Sequence, residues 1–118
     1  MDNFTPVAEV TELTKIDIKP GEGAEVQPGA TITAHYTGAV AATGDVFQSS
    51  KDFGRPISFG LHQVIKGWTD GVPGMKVGGT RRLLIPAEQA YGATPPPGSG
   101  IPANAALVFD IELVSINS

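Results

Sequence analysis

The chain contains no cysteine. Disulfides, thiolate metal sites and a nucleophilic cysteine are therefore all excluded. Charge is scarce: 17% of the 118 residues are Asp, Glu, Lys or Arg, and the net charge is −4. Nucleic-acid binding normally needs a basic stripe, and the only basic doublet is Arg81-Arg82, so nucleic acid is not expected as a partner. No apolar run approaches the ~20 residues of a membrane span, and no membrane partner is expected. The start, Met1 to Pro6, lacks the basic and apolar regions of a signal peptide. A cytoplasmic protein is the default expectation, with an exported one lacking its signal as the alternative.

The usual catalytic signatures are missing too. The two histidines, His35 and His62, have no metal-ligand spacing and there is no HExxH. His35 reads as a solvated side chain on the polar face of a strand, and His62 as a loop residue. Gly98-Ser99-Gly100 has the wrong spacing for a nucleophile elbow, and no phosphate loop is present. Asp45, Asp52, Asp70, Glu88, Asp110 and Glu112 are dispersed and nominate no acid–base pair. No metal or cofactor is expected. A Ser–His–Asp triad assembled in space stays open, since triads are recognised by geometry rather than spacing.

What is present is Gly 15, Pro 10 and 41% hydrophobic residues, enough for one core with many turns. Residues 1–10 read as a flexible N-terminal arm and 11–118 as one domain. Leu13, Ile16 and Ile18 lead into Lys19-Pro20-Gly21-Glu22-Gly23, a strand followed by turn chemistry. Thr31 to Thr37 alternates with period two, placing Ile32, Ala34 and Tyr36 on one face. Thr43-Gly44-Asp45 reads as a hairpin turn, and Ile57-Ser58-Phe59 as a short strand. The spacing of Ile65, Trp68 and Val72 predicts a helix within Val64–Val72, ended by Pro73-Gly74. Thr80–Ile85 and the alternation Leu107, Phe109, Ile111, Leu113 give two further strands. Between them, residues 92–105 include three successive prolines and cannot be regular structure. A loop of about fourteen residues is long enough to suspect function. The sum is an α+β domain, an antiparallel sheet of about five strands on one short α-helix.

The aromatic and aliphatic residues Tyr36, Phe47, Phe59, Val64, Ile65, Trp68, Tyr91 and Phe109 stand out against this background. Phe59 reads as core. Trp68 fits either a core anchor or a pocket floor, and Tyr91, just before the proline-rich loop, reads as a rim residue.

Those residues sit in seven stretches that fall in register across one domain: Ala34-His35-Tyr36-Thr37-Gly38, Val46-Phe47-Gln48-Ser49-Ser50, Val64-Ile65-Lys66-Gly67-Trp68, Gly71 to Gly78, Ala90-Tyr91-Gly92, Ile101-Pro102-Ala103-Asn104 and Leu107 to Leu113. In this order they resemble the FKBP-type peptidyl-prolyl cis-trans isomerases, the macrolide-binding rotamases, from about Lys19 to Ile116. The resemblance implies a curved sheet wrapped around the helix, with a pocket between helix, sheet and loops. It implies catalytic roles for Tyr36, Phe47, Gln48, Trp68, Tyr91 and Phe109, and substrate binding by Ile57, Val64, Ile65 and Ile101. Trp68 would be the floor under the proline ring, and Tyr36, Phe47 and Phe109 the walls. The Ile65 N–H and the Tyr91 hydroxyl would donate to carbonyls of substrate or macrolide. Most family members carry Asp at the position of Gln48, and many an aromatic at that of Ile57. The implied partners are proline-containing peptides, unfolded proteins and FK506- or rapamycin-type macrolides, met by a monomer.

Isomerisation of Xaa-Pro breaks no bond, so the lack of a nucleophile or acid–base pair is consistent with it. The same residues also fit a module that holds a proline-containing partner without turnover, which Gln48 favours, and a folding helper acting through added surface.

Overall fold

The computed structural model describes residues 4–7, 10–50, 54–95 and 97–117. The strands among them are, in chain order, Thr14–Lys19 (β1), Thr31–Val40 (β2), Val46–Ser49 (β3), Ile57–Gly60 (β4), Thr80–Ile85 (β5) and Leu107–Ile116 (β6), with one α-helix, Lys66–Gly71 (α1), between β4 and β5. They form a single antiparallel sheet in the order β1-β5-β6-β2-β3. β4 pairs with Thr31–Ala34 of β2, while β3 pairs with Thr37–Ala39 on the same strand. Six segments therefore occupy five positions across the sheet. Residues 92–95 and 97–105 contain no helix or strand.

Alternation decides which face is core. Along β2, Ile32, Ala34 and Tyr36 are buried between half-exposed Thr31, Thr33, His35 and Thr37. On β5 the inward set is Arg81, Leu83 and Ile85, and on β6 it is Leu107, Phe109, Ile111 and Leu113. Each aliphatic side chain taken fully out of water contributes about 1.5–3 kcal/mol, and Ile32, Leu83, Ile85, Leu107 and Ile111 are all fully buried. Ile16 and Ile18 of β1 face outward and are exposed, as is Val114 of β6.

The helix is shorter than its apolar spacing predicts. α1 begins at Lys66, and Ile65 before it is extended, with φ −58° and ψ 150°. Val64 and Ile65 therefore precede the helix rather than belong to it. Two of its six residues are glycine, a type that costs roughly 1 kcal/mol each relative to alanine in a helix. Close approach explains them: a Cβ at Gly67 would lie 2.5 Å from Ile85 Cγ2, and one at Gly71 2.8 Å from Leu83 Cδ2. The i, i+4 glycines form the face that lies directly on β5.

At the far end of α1, the buried Arg81 Nη1 donates to the carbonyls of Gly71 at 2.9 Å and Pro73 at 3.2 Å. Its Nε donates to Asp17 Oδ1 at 2.7 Å. A cation satisfying the last carbonyls of a helix is favourably placed against the helix dipole. The one charged side chain on the inner face of β5 is thus engaged through Nε and Nη1. On the outer face, Arg82 forms a two-pronged pair with Asp110, Nε–Oδ1 2.7 Å and Nη2–Oδ2 2.8 Å. Phe4 lies over the same guanidinium, 5.4 Å from ring centre to Cζ, and the Val7 N–H donates to the Ala41 carbonyl at 2.8 Å. No helix among the described residues is long and apolar enough to cross a membrane.

Candidate functional site

One irregularity in the sheet creates the site. The β2–β3 register shifts between Gly38 and Ala39: Gly38 opposes Gln48, and Ala39 opposes Val46. Phe47 is the extra residue of this bulge. A bulge interrupts the alternation of a strand and re-aims its side chains, and here Phe47 and Gln48 both reach the inner side. Gly38, opposite them, has no side chain to intrude. A Cβ there would lie 2.6 Å from Phe109 Cε1 and 2.8 Å from Phe47 Cζ, so the two rings occupy the space that a side chain would take. They meet edge to face at 5.7 Å between centroids.

Trp68, in the middle of α1, is 3% exposed and lies against three more rings. Phe59 is 4.9 Å away, Phe109 5.4 Å and Tyr36 5.6 Å between centroids, each in an edge-on arrangement. Such pairs contribute about 0.5–1.5 kcal/mol each beyond the area they bury, so the indole is held rigidly. Its Nε1 is buried without an oxygen or nitrogen partner among the described residues. This is the cost of building a floor wholly from aromatic rings.

Above this floor opens a cavity of about 540 Å³, lined by Tyr36, Phe47, Gln48, Phe59, Gln63, Val64, Ile65, Trp68, Tyr91 and Phe109. Val64 and Ile65 line it because they precede α1, Ile65 in extended backbone. No hydrogen bond from the Ile65 N–H is found among the described residues, as is usual for donors at a helix start. The Thr69 hydroxyl donates to the Leu61 carbonyl and ties α1 to the segment that follows β4.

The cavity thus brings together Tyr36, Phe47, Gln48, Val64, Ile65, Trp68, Tyr91 and Phe109 of the residues singled out from sequence. Two others lie apart. Ile57 lines a separate cavity with Arg55, Pro56 and Ser58. Ile101 packs against the core from its loop, its N–H donating to Ser99 Oγ at 3.2 Å. Phe59 packs on the core, as expected, and it also lines the cavity.

Neither Gly38, noted only as part of a family stretch, nor Gln63 is singled out as a site residue from sequence. A glycine inside an otherwise alternating strand was the available signal for Gly38; for Gln63 it was only its place just before Val64-Ile65.

Neither histidine reaches the cavity. His35 is on the outer face, its Nδ1 3.1 Å from Ser50 Oγ, and that hydroxyl also accepts the Tyr36 N–H at 2.8 Å. His62 is exposed in the loop before α1. Among the described residues no group of three or more His, Cys, Asp or Glu is placed to hold a metal ion.

The pKa of Arg82 is clearly displaced. Its hydrogen bond to Asp110, and secondarily the charge of that carboxylate, raise it above the ordinary guanidinium value against the opposing effect of burial. It too is on the outer face.

The sequence over residues 22–114 matches the family described as FKBP-type peptidyl-prolyl cis-trans isomerase. The chain is 49% identical over 112 residues to a probable FK506-binding protein of Corynebacterium glutamicum, covering 93% of this chain and 92% of that one. It is 48% identical over 116 residues to FK506-binding protein 1 of Saccharomyces cerevisiae, covering 94% of this chain and all of the relative. Among solved structures, AtFKBP13 superposes with a TM-score of 0.79 at 39% identity, covering 89% of this chain and 93% of that one. FkpA from Escherichia coli superposes with a TM-score of 0.81 at 39% identity, covering 89% of this chain and 48% of that one. A single sheet on one short helix and relatives matched over nearly their whole length lead to one assignment: the chain belongs to the FKBP-type peptidyl-prolyl cis-trans isomerases, a family of rotamase enzymes.

Proposed function

We propose that the cavity over Trp68 is where this isomerase holds the proline of a Xaa-Pro segment while the preceding peptide bond turns. The observation that carries the reading is the floor itself. An indole 3% exposed is braced by three edge-on rings beneath an open cavity, and no carboxylate or imidazole lines that cavity among the described residues.

The chemistry asks for little more. Rotation is opposed by the partial double-bond character of the C–N bond, a barrier of about 18–20 kcal/mol. In the twisted transition state amide resonance is lost, so the carbonyl is less polar than in the planar ground state. An apolar site disfavours the planar, polarised amide more than the twisted one, which is differential binding. A thousandfold acceleration requires only about 4 kcal/mol of it. Trp68 carries the proline ring, and Tyr36, Phe47 and Phe109 wall it in. The Ile65 N–H and the Tyr91 hydroxyl donate to carbonyls on either side and hold the chain while it turns. The ligands in this reading are proline-containing peptides and unfolded proteins, met by a monomer. FK506- or rapamycin-type macrolides compete for the same cavity, as the names of the relatives suggest.

The test is an isomerisation assay on a Leu-Pro-Phe peptide, with wild type and Gln48→Asp compared, each with and without rapamycin. Strong wild-type turnover, blocked by the macrolide, is expected. Weak turnover that Gln48→Asp restores would instead favour a module that holds its partner without turning it over.

A further inference from the structure

The protein is acidic, with twelve Asp and Glu against eight Lys and Arg, yet no charged side chain lines the cavity among the described residues. Among the described residues its polar side chains, apart from the two tyrosines and the Trp68 indole, are two primary amides, Gln48 and Gln63. Both are exposed and therefore belong to the mouth rather than the floor. The β3 bulge carries Gln48 to the inner side. Gln63 is fixed from the opposite side, its N–H donating to the Gly60 carbonyl at 2.9 Å, one residue before Val64. The ammonium nearest Gln63 in sequence, Lys66 on the exposed face of α1, is paired with Asp70 at 2.7 Å.

From this we infer that Gln48 and Gln63 set the substrate class, making the mouth indifferent to the charge of the residue before proline. The inference rests on the isomerase reading of the cavity. With the proline ring over Trp68, the preceding side chain leaves the apolar floor and passes the mouth. A primary amide offers both donor hydrogens and an acceptor oxygen, so it meets a carboxylate and an ammonium equally well. Glu-Pro and Lys-Pro segments are therefore both substrates of this site. A carboxylate at either glutamine position would select Lys-Pro, and an ammonium would select Glu-Pro. The overall negative charge does not spoil this at about 150 mM salt, where fields are screened beyond roughly 8 Å.

The deciding measurement is the ratio of kcat/KM for Glu-Pro and Lys-Pro peptides at that salt, with a Leu-Pro peptide as reference. The wild-type ratio is expected within about threefold of one. Gln48→Glu and Gln63→Glu shift it toward Lys-Pro by on the order of tenfold, and Gln63→Lys shifts it toward Glu-Pro, as a unit charge added a few ångströms away requires. Because the two signs of charge move the ratio in opposite directions, general damage to the site cannot imitate the result. A wild-type ratio tenfold or more from one, or a ratio that none of the three variants moves, overturns the inference and leaves the isomerase reading standing. Absence of turnover with Leu-Pro as well overturns both.

Discussion

A methyl group placed on Gly38 would sit 2.6 Å from Phe109 Cε1 and 2.8 Å from Phe47 Cζ. Carbon atoms normally approach no closer than about 3.5–4 Å, so each ring must retreat by roughly 1 Å. Phe109 cannot retreat inward, because it already abuts Trp68 at 5.4 Å and Tyr36 at 6.4 Å between centroids, and interiors at native density have no slack. The free direction for both rings is the cavity. Gly38 is not among the glycines with positive φ, so alanine is acceptable to the backbone and the perturbation is steric alone. Overpacking of this kind costs typically about 1–3 kcal/mol, while a misplacement near 1 Å at a reacting site can cost on the order of a hundredfold in rate.

For Gly38→Ala the expected outcome is a loss of about 1–3 kcal/mol in urea unfolding, followed by the fluorescence of the single tryptophan, and a fall in kcat/KM of ten- to a hundredfold on a Leu-Pro peptide at a temperature where the variant is fully folded. Unchanged stability and activity would refute the packing argument outright. Lost stability with wild-type kcat/KM would mean that the rings move into the core, and that the cavity walls do not matter to turnover.

Trp68→Leu removes the floor but keeps the helix anchored; kcat/KM should fall at least tenfold with far-UV circular dichroism unchanged, and full activity would show that the proline does not rest there. With neither a carboxylate nor an imidazole lining the cavity among the described residues, log kcat/KM should be flat between about pH 5 and 9, and a tenfold step in that range would reveal a titrating group in the reaction. Asp110→Asn breaks the outer-face pair and should cost about 1–3 kcal/mol, leaving kcat/KM at the wild-type value. Because the pair raises the Arg82 pKa, its stabilisation is complete below the ordinary guanidinium range and is lost only as pH climbs through the higher folded value. The difference in unfolding free energy between wild type and Asp110→Asn should therefore be the same at pH 6 and pH 9.

The alternation in β2, β5 and β6 was legible because one face of each strand is buried, and a period of two then fixes the face. The helix was legible as a spacing but not in its ends. Ile65, Trp68 and Val72 share a direction whether or not Ile65 is helical, and only its observed extended backbone reveals that α1 starts one residue later. The bulge was not legible at all. Strict alternation puts Phe47 and Gln48 on opposite faces, and their shared direction depends on where β3 pairs with β2, a tertiary fact. For the same reason Gln63 had no local signal, since its place at the cavity mouth follows from how the turn after β4 delivers the chain to α1. Ile57 and Phe59 alternate on one strand, yet only Phe59 reaches the cavity, a matter of side-chain length and neighbours that periodicity does not carry.

The sheet also sorts charge by face in a way that suits the proposed mechanism. The Arg82–Asp110 pair and the His35–Ser50 contact all lie on the outer side. The inward exception on β5, Arg81, is bound to Gly71, Pro73 and Asp17 at the C-terminal end of α1. Ile65 and the cavity are at the other end of α1, and a six-residue helix spans about 9 Å. A free cation beside the carbonyl before proline would stabilise its polarised, planar form and so deepen the ground state that rotation must leave. With Nε and Nη1 of Arg81 bound to Asp17 and the helix end, and no charged side chain lining the cavity among the described residues, no charge is placed there to deepen that form. In the proposed reading, where the reaction consists of losing polarity, a lining without charged side chains among the described residues favours turnover.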